Sequence, residues 1–218
     1  MQKTINTSES RFQRRVYRAR EIEQLGISQS TTYRRARADG PWTRLAPGVV
    51  LVAPGPPTVH DRIQAALLRA GPGAVVTGLV AAHLHGITTT SDDVEVHVLI
   101  PHGRKIQGYP GTKFERTTRL PKPVYVNGVP TAPPVRAVMD GARTFRTWAF
   151  TQQLLRNAIQ QERCCKLNDL ITEMELGSRR GTAVPRAILR TLQNGPTPLH
   201  GLPRRSTRPA EEVQRSAA

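Results

Sequence analysis

Acidic residues are scarce in this chain. Its 218 residues hold 16 Asp+Glu against 32 Lys+Arg, a formal charge of +16. Such an excess favours a polyanionic partner, and nucleic acid is the commonest one. Long apolar runs are lacking as well. None approaches the roughly 18 residues that a membrane span needs, and the first twenty residues contain no apolar stretch of the secretory type. No membrane partner is therefore expected. Cysteine is limited to the adjacent Cys164 and Cys165, which excludes a disulfide framework and a structural zinc site built on two cysteine pairs. That usage fits a reducing cytoplasm, the expected location. No Ser-His-Asp or Cys-His arrangement is legible, so no catalytic residue, no metal and no cofactor is assigned.

The positive charge is not confined to a tail. Residues 1–57 carry 10 basic and 4 acidic groups, residues 58–145 carry 10 and 6, and residues 146–218 carry 12 and 6. Codon bias in a GC-rich genome would also enrich arginine, so the functional argument rests on where the arginines stand.

Three zones follow from composition. Residues 1–57 are polar and Arg-rich and end in the breaker run Pro54-Gly55-Pro56-Pro57. Residues 58–192 alternate helical and strand-like patterns. Residues 193–218 have too few large apolar side chains to build a core and read as a disordered basic tail. In the first zone, Ser10 to Leu25 is helix-compatible and Gly26 breaks it. Ser28 can cap a second helix running to about Ala38, where Asp39-Gly40-Pro41 ends it. Val49 to Val52 is strand-like, and Pro47-Gly48 sits at a tight turn between two short strands. Helix, turn, helix and hairpin is the order of a winged helix-turn-helix.

In the second zone helices are expected at Val59–Ala70, Gly78–His85, Pro134–Ala142, Arg146–Glu162 and Lys166–Glu175. Strands are expected at Ala74–Val76, Val94–Ile100, Lys113–Thr118 and Val124–Val126, the last followed by an Asn127-Gly128 turn. The fold class is therefore α+β: an N-terminal winged helix-turn-helix, then an α+β domain with a small sheet and C-terminal helices.

The helix after Ser28 carries the chemistry. Ile27, Thr32 and Ala36 are spaced to face inward, which turns Ser30, Arg34 and Arg37 outward with Thr31 and Tyr33 on the flanks. Such a face suits a major groove, where Arg pairs bidentately with guanine and hydroxyl side chains reach phosphates or base edges. The candidate DNA-binding residues are Ser28, Gln29, Ser30, Thr31, Tyr33, Arg34 and Arg37, with Thr43 and Arg44 from the wing. Trp42 is expected to anchor the wing in the core. Arg35 lies nearer the core, and Arg14, Arg15, Arg18 and Arg20 are expected to add non-specific phosphate attraction.

Arg20 to Arg35 (REIEQLGISQSTTYRR) and Trp42 to Leu51 (WTRLAPGVVL) resemble the AbiE-type abortive-infection antitoxins and their actinobacterial relatives. So do Val76 to Gly86 (VTGLVAAHLHG), Glu95 to Pro101, Arg116 to Pro121 and Gly128 to Asp140 (GVPTAPPVRAVMD). The resemblance covers about residues 18 to 190. It implies the antitoxin of a type IV toxin–antitoxin pair used in phage defence. Such antitoxins repress their own operon and oppose a nucleotidyltransferase-like toxin without a stable complex. Many of those relatives continue into a domain similar to very-short-patch-repair endonucleases. That domain needs a buried acidic constellation, and Glu211-Glu212 has no strand pattern around it.

Other candidate residues fit plainer roles. Asp93 and Glu95 alternate with valines, as nucleotidyltransferase metal ligands do. They lack the preceding Gly-Ser turn and fit the solvated face of an edge strand. The enzymatic alternative is thus a nucleotidyltransferase-like enzyme, or the remnant of an endonuclease fusion. His83 and His85 diverge by about 200° on a helix and cannot easily share a metal, even with His97 nearby. Asp140 is expected to cap its helix or pair with Arg136 or Arg143. Leu154, Leu155, Ala158 and Ile159 form an apolar stripe, either core or the face of a homodimer suited to palindromic operators.

Overall fold

A computed structural model of the chain describes residues 14–88, 95–145, 147–160 and 165–194. The expectations placed on residues 10–13, on Asp93 and Val94, on Cys164 and on the tail from residue 195 lie outside the described residues. Eight helices and two small sheets are found among the described residues, a mixed α+β architecture.

The first sheet has three antiparallel strands, β1 (Val16–Arg18), β2 (Thr43–Ala46) and β3 (Val49–Leu51), in the order β1-β3-β2. Two short helices, α1 (Ala19–Gln24) and α2 (Gln29–Arg35), connect β1 to β2. The helix expected from Ser10 does not include Val16–Arg18, which pairs with β3 through Val16↔Leu51, Tyr17↔Val50 and Arg18↔Val49. Val16 and Tyr17 are buried. A β-branched and an aromatic residue gain more there from a ladder and a packed face than from helix propensity. β2 and β3 form a hairpin closed at Pro47-Gly48, with Gly48 at φ 74°.

Between the helices and this sheet lies a small core of Tyr17, Ile22, Trp42, Val50 and Val52, with Leu25, Ile27 and Ala36 against it. Ile22 has no exposed surface, so its burial alone is worth about 1.5–3 kcal/mol. Trp42 and Ile27 take the inward places expected of them. α2 stops at Arg35 rather than Ala38 because the chain turns back on it. The Trp42 amide donates to the Arg35 carbonyl at 3.0 Å, and a Cβ at Gly40 would stand 2.1 Å from that oxygen.

Helix α3 (Val59–Ala70) follows. Thr58 Oγ1 accepts from the Asp61 amide at 3.1 Å, and Asp61 Oδ2 accepts from the Thr58 amide at 2.9 Å, closing a capping box. α3 serves two cores. Its Ala65 packs with Val16, Ala46, Val49 and Leu51 of the first sheet, whereas Ile63, Ala66 and Ala70 join the core of the second.

The second sheet contains β4 (Val75–Thr77), β5 (Val96–Pro101), β6 (Thr112–Thr117), β7 (Val124–Val126) and β8 (Val129–Thr131), ordered β6-β5-β4-β8-β7. β5/β6 and β4/β8 are parallel; β4/β5 and β7/β8 are antiparallel. Asn127 (φ 49°) and Gly128 (φ 76°) make the expected turn, and β8, not foreseen as a strand, follows it. Helix α4 (Gly78–Leu84) leads from β4. Helices α5 (Pro134–Thr144), α6 (Trp148–Gln160), α7 (Leu167–Leu176) and α8 (Ala183–Gln193) follow among the described residues, α8 also being unforeseen. Leu154, Leu155 and Ala158 of the α6 stripe are buried with Ile188 and Leu189 of α8. The stripe is therefore core, and α8 covers the face that was the alternative homodimer surface.

Candidate nucleic-acid interface

The second helix exposes four of its seven side chains to solvent. Thr32 alone is buried in α2, with no exposed surface. Gln29, Ser30, Tyr33 and Arg34 are exposed, and at 100° per residue they span an arc of about 140°. Thr32 and Arg35 point away from that arc. Arg35 is engaged inside the unit, its guanidinium 5.0 Å from the centre of the Trp42 ring.

Local bonds fix the start of the helix. Ser28 Oγ accepts from the Thr31 amide at 3.3 Å and donates to Thr31 Oγ1 at 3.0 Å. The structure thus places Ser28 and Thr31 in the cap, while Gln29 and Ser30 open the exposed face. Arg37 is exposed just beyond the C-cap residue Ala36. In the hairpin Thr43 is half-buried opposite Leu51, and Arg44 is exposed opposite Val50. The Arg44 guanidinium lies 5.8 Å from the centre of the Tyr33 ring, so one cation–aromatic contact joins helix and hairpin on their outer faces.

Between α2 and the Pro47-Gly48 turn is an open groove of about 380 Å³. Arg18, Arg20, Gln29, Tyr33, Gly48 and Arg69 line it, and no acidic residue does so among the described residues. Arg20 and Arg69 are exposed. Arg69 comes from the last turn of α3, so no local pattern could have placed it beside α2. Three other N-terminal arginines have partners within the protein. Arg15 makes two 3.0 Å bonds to the buried Asp61 carboxylate, and Arg18 Nε donates to the Leu68 carbonyl at 2.9 Å. Arg14 pairs with Glu21 at 3.2 Å and stacks on Tyr17. Burial opposes the charge on Asp61, but the bonds from Arg15 and Thr58 outweigh it and hold this carboxyl below its ordinary range.

No protein-family model matches the sequence, and no curated protein does. The fold is similar to a solved one. The RV2827C protein from Mycobacterium tuberculosis superimposes with a TM-score of 0.56 at 15% sequence identity, covering 87% of this chain and 78% of that one. At this identity the likeness concerns architecture alone.

The other candidate groups are spread through the second unit. Glu95 is exposed. His85 Nε2 donates to the Ala132 carbonyl at 2.8 Å, and His97 Nε2 donates to Glu115 at 3.0 Å. Among the described residues no three His, Cys, Asp or Glu side chains cluster as metal ligands. Cys165 is buried. Asp140 pairs with both expected arginines, Arg136 Nε at 2.8 Å and Arg143 Nη1 at 3.2 Å, and also accepts from Thr77 Oγ1 at 2.8 Å.

Proposed function

We propose that this chain is a sequence-specific DNA-binding regulator whose residues 1–57 form a winged helix-turn-helix. In this reading α1 and α2 are the paired helices, α2 enters the major groove, and the β2–β3 hairpin is the wing. The observation that carries it is the α2 face: four exposed polar and aromatic side chains on one arc, next to the exposed Arg37 and Arg44, on a helix that buries one threonine. Arg34 reads a base edge, Gln29 and Ser30 lie at the entering end, and the groove arginines Arg20 and Arg69 neutralise phosphates.

The resemblance to type IV antitoxins gives this reading its biological form. The chain represses its own operon, residues 58–192 form the antitoxin-like domain, and the opposing protein is a nucleotidyltransferase-like toxin. No helix among the described residues is long and apolar enough to cross a membrane, and regulation of this kind takes place in the cytoplasm.

The test is selection of genomic fragments by the full chain, followed by affinity measurements on the winning duplex. Arg34→Ala should lose roughly 1–3 kcal/mol on that duplex and discriminate less at one base position. Equal binding of the selected duplex by wild type and Arg34→Ala would remove α2 from the interface.

A further inference from the structure

A second cationic recess lies at the β6 edge of the five-stranded sheet. It encloses about 320 Å³ and is bounded by residues 115–119, by Arg136 and Arg143 of α5, and by Gly177 and Ser178 after α7. Sequence distance separates these walls, and an ionic network joins them. Asp140 holds Arg136 and Arg143. Glu173 of α7 accepts both terminal nitrogens of Arg119 and lies 3.5 Å from Arg136 Nη1.

The charges of this network do not cancel. Three guanidinium groups, those of Arg119, Arg136 and Arg143, share two carboxylates, Asp140 and Glu173. Glu115 is engaged elsewhere, by His97 and Lys113. Arg116 is exposed in the wall and makes no ion pair among the described residues, which raises the local excess to two. Arg143 Nε and Nη2 are buried without an acceptor among the described residues. A structural ion pair needs one arginine and one carboxylate. It does not require a third guanidinium, and the two unpaired Arg143 donors are buried away from the recess, with Nη2 packed against Gly177.

We propose that this recess binds the phosphate group of a small phosphate ester. Carboxylates hold the buried arginines in place, and Arg119 gives both terminal nitrogens to Glu173, which leaves the exposed Arg116 guanidinium as the fork that can capture phosphate oxygens bidentately. The buried pair, Arg136 and Arg143, with side chains 8% and 12% exposed, forms the base. Arg119, 41% exposed, and Arg116 stand nearer the mouth. Two hydroxyls add donors. Thr117 Oγ1 accepts from the Arg119 amide at 3.0 Å and Ser178 Oγ from the Arg180 amide at 3.2 Å, so each keeps its own proton to give to an anion. The size sets the ligand class. A space of this volume lies at the small end of the range for small-molecule sites, about 300–1,000 Å³.

The experiment is calorimetric titration of the full chain with pyrophosphate and with adenosine monophosphate at low chloride. Saturable binding of one equivalent is expected. Arg116→Gln should weaken it about tenfold, the usual effect of deleting a charged hydrogen bond. Arg156→Gln removes an exposed charge on α6 and should change nothing. The proposal is overturned by absence of saturation at millimolar ligand, or by equal losses in Arg116→Gln and Arg156→Gln. Arg116→Gln weakening duplex binding while pyrophosphate binding is unchanged would overturn it too, assigning the recess to the nucleic-acid backbone.

Discussion

Salt dependence offers the most quantitative check on the interface. Arg20, Arg37, Arg44 and Arg69 are all exposed around α2, its hairpin and the adjoining groove, beside the base-reading Arg34. If these four neutralise phosphates, the logarithm of the association constant falls with log salt at a slope of about −0.9 × 4, or −3.6. Raising salt fourfold, from about 50 to 200 mM, then lowers affinity about 150-fold. Arg14, Arg15 and Arg18 are excluded from the count because Glu21, Asp61 and the Leu68 carbonyl already hold them. The assay is fluorescence anisotropy of a labelled duplex across a salt series. Arg69→Ala should flatten the slope by about 0.9 on every duplex tested, since a phosphate contact carries no sequence information. A wild-type slope shallower than about −2 would mean that at most two cations engage, and would refute the placement of α2, wing and groove on one strand of phosphates.

The remaining predictions concern the scaffold. Asp140→Ala leaves Arg136 and Arg143 buried beside an empty position. It should cost about 3–5 kcal/mol, read by urea unfolding, and a loss under 1 kcal/mol would show that the network is not closed as described. Acid should destabilise the protein progressively as pH falls below about 4.5. The hydrogen bond from His97, with the nearby charges, holds the Glu115 carboxyl at about 2, against an ordinary value of 4.5. Because the folded-state value is depressed, its contribution is complete above about pH 4.5 and is lost as pH falls toward 2. Asp61 acts in the same direction. Urea midpoints between about pH 6 and 3 should decline less steeply in Glu115→Gln and Asp61→Asn than in wild type, and parallel declines would contradict these assignments.

Much of the local structure was legible in the residues. Ser28 announced a cap and became one, and Asn127-Gly128 announced a tight turn and made it. Trp42 was expected inside and is inside, and Thr32 turned inward as its spacing required. These features depend on a hydroxyl within reach of an amide three residues on, on a backbone that tolerates positive φ, or on helical period. All of that information is local.

What the sequence alone determined is a basic chain with a capped polar helix, a short hairpin after it and an alternating region of helices and strands. Tertiary structure decided which arginines are left to act. Residues 14–18 look like one uniform basic run. Arg15 is taken by Asp61, 46 residues away, and Arg18 by a carbonyl 50 residues away, while Arg69 stays exposed beside α2. The same holds for Val16–Arg18, drawn from helix into strand by β3, and for Glu173, which meets Arg119 across 54 residues. Hydrogen-bond ladders and ion pairs satisfy whichever partners the folded backbone brings near, and no periodicity along the chain encodes those partners.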